Sequence, residues 1–157
     1  IRVFIDPWVD PLGAGYNVIQ SRIAVGSGGL LGKGFMEGLQ SKLRFLPEPH
    51  TDFIFSVYCE ELGFIGAVVM LLLFGALFWR LIETGMRAKD GRAKVLIAGA
   101  SAWIWFQMTE SIGMSIGLLP VTGLPLPLVS YGGSSLLALA IILALAQSIY
   151  ISTVKTY

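Results

Sequence analysis

The chain has 157 residues, of which 55% are hydrophobic and 13% charged, with a mean hydropathy of +0.74 and a net charge of +1. A soluble domain carries about 25% charged residues, so this composition points to a polytopic membrane protein, and the near-neutral balance excludes an electrostatic case for a nucleic-acid partner. One cysteine, Cys59, excludes an internal disulfide and a cysteine-based zinc site, and one histidine, His50, excludes a multi-histidine metal centre within the chain.

No initiator Met, signal peptide or lipidation motif opens the sequence, and the chain reads as the C-terminal portion of a longer membrane protein. Residues 1–52 form a long outer segment. Within it, residues 16–25 place Val18, Ile19, Ile23 and Val25 at near-helical spacing, which suits a short helix lying in the membrane interface. The glycines that follow, from Gly26 to Gly38, predict tight turns and a close approach of backbone to a neighbour. They do not form a nucleotide loop, because Gly34 follows Lys33 where Ser or Thr is needed.

A bilayer core of about 30 Å needs about 20 apolar helical residues. Three segments qualify: 53–79, 95–119 (interrupted by Glu110) and 131–151. No charged residue occurs between 111 and 154. The 80–94 loop holds Arg80, Arg87, Lys89, Arg92 and Lys94, so it belongs on the cytoplasmic side. That puts 1–52 and the 120–130 loop outside, with 152–157 as a cytoplasmic tail. The fold class expected is all-α: a polytopic membrane protein with three transmembrane helices and a long structured outer loop.

Asp52 stands at the mouth of the first span, after Pro47, Pro49, His50 and Thr51. Two readings apply. Thr51 and Asp52 are both residue types that cap helices. Alternatively, Asp52 is a general base, its ionised form favoured by the helix N-terminus. His50 would assist it or bind a ligand, or be an ordinary interfacial side chain. Glu48, four residues earlier, would suit a paired-carboxylate glycosidase, with the prolines leaving the separation open. Glu60, Glu61 and Glu110 are intramembrane acids, suspect for function and equally suited to helix packing. Lys33, Lys42 and Arg44 would bind an anionic substrate or lipid headgroups. Gly123-Leu-Pro-Leu-Pro127 forces a non-helical outer turn. After it, Ser130, Tyr131, Gly132, Gly133, Ser134 and Ser135 offer either a helix cap with small packing residues or donors facing a phosphate at a helix N-terminus.

At these residues the chain resembles the SEDS family (shape, elongation, division and sporulation). Phe45-Leu-Pro-Glu-Pro-His-Thr-Asp-Phe-Ile-Phe55 with Glu60-Glu-Leu-Gly63 is similar to one family block. Gly117-Leu-Leu-Pro120 through Gly123-Leu-Pro-Leu-Pro127 and Ser130-Tyr-Gly-Gly-Ser-Ser135 match a second. Asp10-Pro-Leu-Gly13, Gly15-Tyr16, Ile19-Gln-Ser21 and Gly26-Ser-Gly-Gly29 match a third. Val121-Thr122 is closer to the elongation branch than to the division branch. At Glu110-Ser111, relatives often carry Gln-Asn instead.

The resemblance implies a ten-helix fold of which this chain supplies the outer loop and last three spans. It implies a peptidoglycan glycosyltransferase of the bacterial cytoplasmic membrane that polymerises lipid II at the outer face, with its essential acid at Asp52. It also implies a class B penicillin-binding protein as partner, membrane lipid around the spans, and no organic cofactor. A divalent cation, Mg or Mn, between Asp52 and pyrophosphate oxygens is compatible with it. A lipid-linked sugar flippase and a non-catalytic scaffold for the penicillin-binding protein are the alternatives.

Overall fold

The computed structural model describes residues 14–34 and 52–155. Among the described residues there are four helices: α1 (Ala14–Ser27), α2 (Ile54–Arg87), α3 (Gly91–Ser115) and α4 (Gly133–Lys155). Two of them, α2 and α4, are long and apolar enough to cross a membrane. α3, at 25 residues, spans about 37 Å, but its polar residues keep it below that compositional mark.

α2 runs past the expected end of its span. Glu83 pairs with Arg87 at 2.6 Å and with Arg80 at 3.7 Å, at the i,i+4 and i,i+3 spacings that keep a charged turn helical. The connection to α3 is therefore three residues long rather than a loop over 80–94. Asp90 caps α3, its carboxylate accepting from Arg92 N–H at 3.1 Å. So short a connection makes α2 and α3 antiparallel neighbours. At its other end α3 stops at Ser115, before the expected boundary, because Gly117 takes a left-handed conformation (φ 75°).

The core lies along one stripe of α2. Phe55, Cys59, Ala67, Met70 and Phe74 recur at helical spacing and pack with Met108 of α3 and Leu126 of the outer loop. A second cluster joins Leu81 to Ile97 and Ile104 of α3 and to Leu139 and Ala146 of α4. The opposite faces, including Phe64, Leu72, Leu73, Leu137 and Ile141, are apolar and exposed, as expected where the solvent is lipid.

The first helix is packed into the bundle. α1 packs against α2 and α3, and its most deeply buried residues are small: Ser21 and Ala24 are fully buried beside Val18, whereas Ile23 is 47% exposed. Small side chains allow helix axes to approach closely. Ser21 Oγ donates to the Ser115 carbonyl at 2.5 Å and lies 2.6 Å from Ser56 Oγ, tying three helices at one point.

Beyond α1 the chain turns into a break in α2. Gly63 sits at φ 66°, ψ −163°, a conformation essentially restricted to glycine. A continuous helix would bond Phe64 N–H to Glu60 and Ile65 N–H to Glu61. Instead, the Glu60 and Glu61 carbonyls accept from Lys33 and Gly34 N–H (3.0 and 3.1 Å). Phe64 and Ile65 donate to the carbonyls of Gly29 and Leu30 (2.9 and 3.2 Å). Four backbone groups orphaned by the kink are thus satisfied by the turn, which meets the requirement that buried polar backbone be paired. The approach is backbone to backbone. A Cβ on Gly28 would strike the Cys59 carbonyl, and one on Gly32 the Glu61 carbonyl.

Candidate functional site at the mouth of α2

Asp52 precedes α2 by two residues. The N-cap position is Phe53, and among the described residues no side-chain hydrogen bond caps the helix, so capping does not consume the Asp52 carboxylate. Asp52 is half-buried and opens onto a cavity of about 470 Å³. The walls come from three other places. α3 gives Trp103 and Gln107, the outer loop gives Gly123 and Pro125, and the start of α4 gives Tyr131, Gly132, Ser134 and Ser135. A Cβ on Gly123 would lie 3.4 Å from Asp52 Oδ2, so glycine there lets the loop pass close to the carboxylate.

The outer loop is held from both sides. Thr122 Oγ1 donates to Glu110 Oε1 at 3.2 Å, which gives the buried acid of α3 a partner. Leu126 N–H donates to Ser130 Oγ at 2.8 Å, while Ser130 N–H donates back to the Leu126 carbonyl at 3.0 Å. Leu128, inside this closed turn, has φ 66°, a strained value for a non-glycine residue. The turn delivers the chain to α4, whose first bond is Leu136 N–H to Gly132 carbonyl at 2.9 Å. The N–H groups of the first α4 turn have no intrahelical acceptor and carry the positive end of the helix dipole.

The structure therefore brings Asp52, Tyr131, Gly132 and Ser134 to one cavity, with Gly133 starting the adjacent helix. It does not bring Ser130 to that cavity as a ligand: Ser130 is buried and closes the turn. Nor does it bring Lys33. That ammonium is held 3.0 Å from Glu60 Oε1 and 2.9 Å from Ser27 Oγ, beside the Gly63 break. Burial explains this, since Glu60 is fully buried and a buried carboxylate requires a cationic or hydrogen-bonding partner. Lys42, Arg44, Glu48, His50 and Thr51 lie outside the described residues.

Trp103 and Gln107 are site residues that the sequence reading does not single out, whereas Ser135 belongs to the 130–135 motif it does. Trp103 and Gln107 are four apart, one turn of α3, and a glutamine inside an apolar run was the available signal. Among the described residues no group of three or more His, Cys, Asp or Glu is placed to hold a metal. Asp52 is the one carboxylate among the residues lining the cavity, so a divalent cation there would draw its remaining oxygens from substrate and water.

The family model described as "Cell cycle protein", covering FtsW, RodA and SpoVE, matches residues 1–155. The peptidoglycan glycosyltransferase MrdB of Escherichia coli K12 is 48% identical over 150 residues, 96% of this chain and 40% of that protein. Stage V sporulation protein E of Bacillus subtilis is 49% identical over 136 residues, 87% of this chain and 37% of that protein. A chain from a peptidoglycan synthase complex that coordinates polymerization and crosslinking superposes with a TM-score of 0.79 at 33% identity, over 97% of this chain and 40% of that one. The chain spans about 40% of the length of the first curated relative it matches. With the match running through nearly the whole sequence and the helical architecture agreeing, the chain belongs to the FtsW/RodA/SpoVE family, the SEDS proteins.

Proposed function

We propose that this chain forms the catalytic end of a peptidoglycan glycosyltransferase that polymerises lipid II, with Asp52 as general base. One observation carries the reading: an aspartate not used as a helix cap shares a cavity with the N-terminus of α4. The carboxylate takes the proton of the acceptor sugar hydroxyl. The freed oxygen pair attacks the donor's anomeric carbon, and the bond to the lipid pyrophosphate breaks with its electrons going to the leaving oxygen. A single displacement inverts the anomeric centre, and Asp52 then passes its proton to water. The leaving group needs positive character beside it. In the described residues that comes from the N–H groups opening α4, flanked by the Ser134 hydroxyl. Lys42 and Arg44 remain candidates for the same task, as does a Mg or Mn ion supplying Lewis acidity at the pyrophosphate when bound.

The membrane setting follows from the substrate's prenyl chain, which the exposed apolar faces of α2 and α4 suit. The basic residues Arg80, Arg87, Lys89, Arg92 and Lys94 gather at the end of α2 and α3 opposite Asp52, which favours an outer-face site in the bacterial cytoplasmic membrane. A class B penicillin-binding protein as partner is supported by the likeness to a complex that couples polymerization to crosslinking. A role in cell elongation rests on Val121-Thr122 and on the likeness to MrdB. It is tested by whether the full-length parent restores rod shape to cells depleted of their elongation polymerase. Restored division or sporulation instead would reassign it.

The enzymatic reading is tested by lipid II polymerisation with the full-length parent and its partner, cross-linking blocked. Asp52→Asn should abolish both glycan strands and release of undecaprenyl pyrophosphate. Strand synthesis at the wild-type rate would overturn the assignment.

A further inference from the structure

Gln107 is 9% exposed, deep in an otherwise apolar stretch of α3. Its side chain lines the Asp52 cavity and the small hollow beneath Pro125 and Ser130. Among the described residues its amide makes no hydrogen bond to protein. Its amide atoms are not sealed from solvent; they open onto the cavity, where a ligand can take their hydrogen bonds. One turn earlier on the same helix, Trp103 is half-buried. It packs against the Leu81–Ile104 core on one side and lines the cavity on the other.

The two walls of the cavity differ in chemistry. The α4 start offers N–H groups and the Ser134 hydroxyl, a donor set for a phosphate. The α3 wall is neutral. An amide has two donors and an acceptor, which complements sugar hydroxyl and acetamido groups that themselves donate and accept. An indole presents a flat face of negative potential, which suits the polarised C–H groups of a pyranose ring.

We infer that Trp103 and Gln107 form the saccharide subsite of this cavity, holding an amino-sugar ring of the lipid-linked substrate against Asp52. This deepens the glycosyltransferase reading and rests on it. The subsite explains how one carboxylate can be selective: the ring is fixed by a stacking face and an amide, so a single hydroxyl is presented to the base.

The test compares wild type, Gln107→Met, Trp103→Leu and Trp105→Leu in the full-length parent with its penicillin-binding partner, cross-linking blocked. Gln107→Met keeps the side-chain length and removes the hydrogen-bonding groups. Trp105 is 57% exposed and lies outside the cavity lining, its ring edge-on to Phe78. The readouts are KM and kcat for lipid II, and inhibition by undecaprenyl pyrophosphate, which carries the phosphates and tail without the sugars.

Losing one hydrogen bond to substrate should raise the lipid II KM about five- to tenfold. Inhibition by undecaprenyl pyrophosphate should be unchanged, and Trp105→Leu should match wild type. Trp103→Leu should show the same split, and it decides the matter if Gln107→Met does not fold. An unchanged KM, or KM and inhibition constant rising together, would overturn the subsite. The parent reading fails separately. If Asp52→Asn is inactive while Gln107→Met and Trp103→Leu keep the wild-type KM, only the subsite is lost. If Asp52→Asn polymerises normally, the glycosyltransferase assignment itself falls.

Discussion

The two ends of the bundle solve the same problem, a polar backbone in an apolar setting, in opposite ways. At the Arg80–Lys94 end, α2 and α3 are regular helices joined by a three-residue turn, and the charges of α2 meet in solvent-reached i,i+3 and i,i+4 pairs. At the Asp52 end, α2 is broken at Gly63, a glycine-rich turn supplies the missing hydrogen bonds, and an ion pair and a serine cluster are buried. Irregular backbone deep in a helix bundle is tolerated only where protein satisfies it. Its cost at this end is consistent with a site that must be held in place, because the broken segment of α2 is the one that begins beside Asp52.

That contrast predicts a gradient of mutational effects, read as thermal stability of the full-length parent in micelles. The largest is at the break. Gly63→Leu places a Cβ against the Gly32 amide at positive φ, and should cost about 4 kcal/mol or prevent folding. A melting curve like wild type would mean the turn does not depend on the break. Next is the buried pair. Lys33→Met strips Glu60 of its ammonium and should cost about 3 kcal/mol, the low end for a buried pair because Lys33 is 30% exposed. Full retention of stability would show that Glu60 is satisfied without it. The smallest effect belongs to the other end. Glu83→Gln removes two exposed-side contacts and should cost about 0.5 kcal/mol. A loss as large as that of Lys33→Met would erase the distinction between the two ends.

The regular end was the more legible. The apolar runs announced α2 and α4, and the density of Lys and Arg marked the turn between α2 and α3. The helical continuation through Arg80, Glu83 and Arg87 and the start of α3 at Gly91 were missed, since a charged stretch reads as a loop until its i,i+4 pairs are counted. The Asp52 end was legible in its residue types rather than its packing. Glycines predicted a close backbone approach, and that is what residues 28–34 make. Their target was hidden, because a single glycine in an apolar run, Gly63, reads as ordinary helix interior. The burial of α1 was hidden too, since contacts made by Ser21, Ala24 and Gly28 leave no hydrophobic period. Lys33 looked like a substrate ligand because its partner, Glu60, is 27 residues away. The cavity around Asp52 depends on α3 and the outer loop converging, which no local pattern encodes.

The central claim is that Asp52 acts on substrate rather than on the fold. The most direct measurement is single-turnover lipid II polymerisation by the full-length parent with its partner, wild type against Asp52→Asn. The two proteins must match in melting temperature and complex formation. A loss of about 10²–10⁴-fold in rate with stability unchanged is the predicted result. An Asn variant that polymerises as fast as wild type would contradict the account and return Asp52 to a structural role at the mouth of α2.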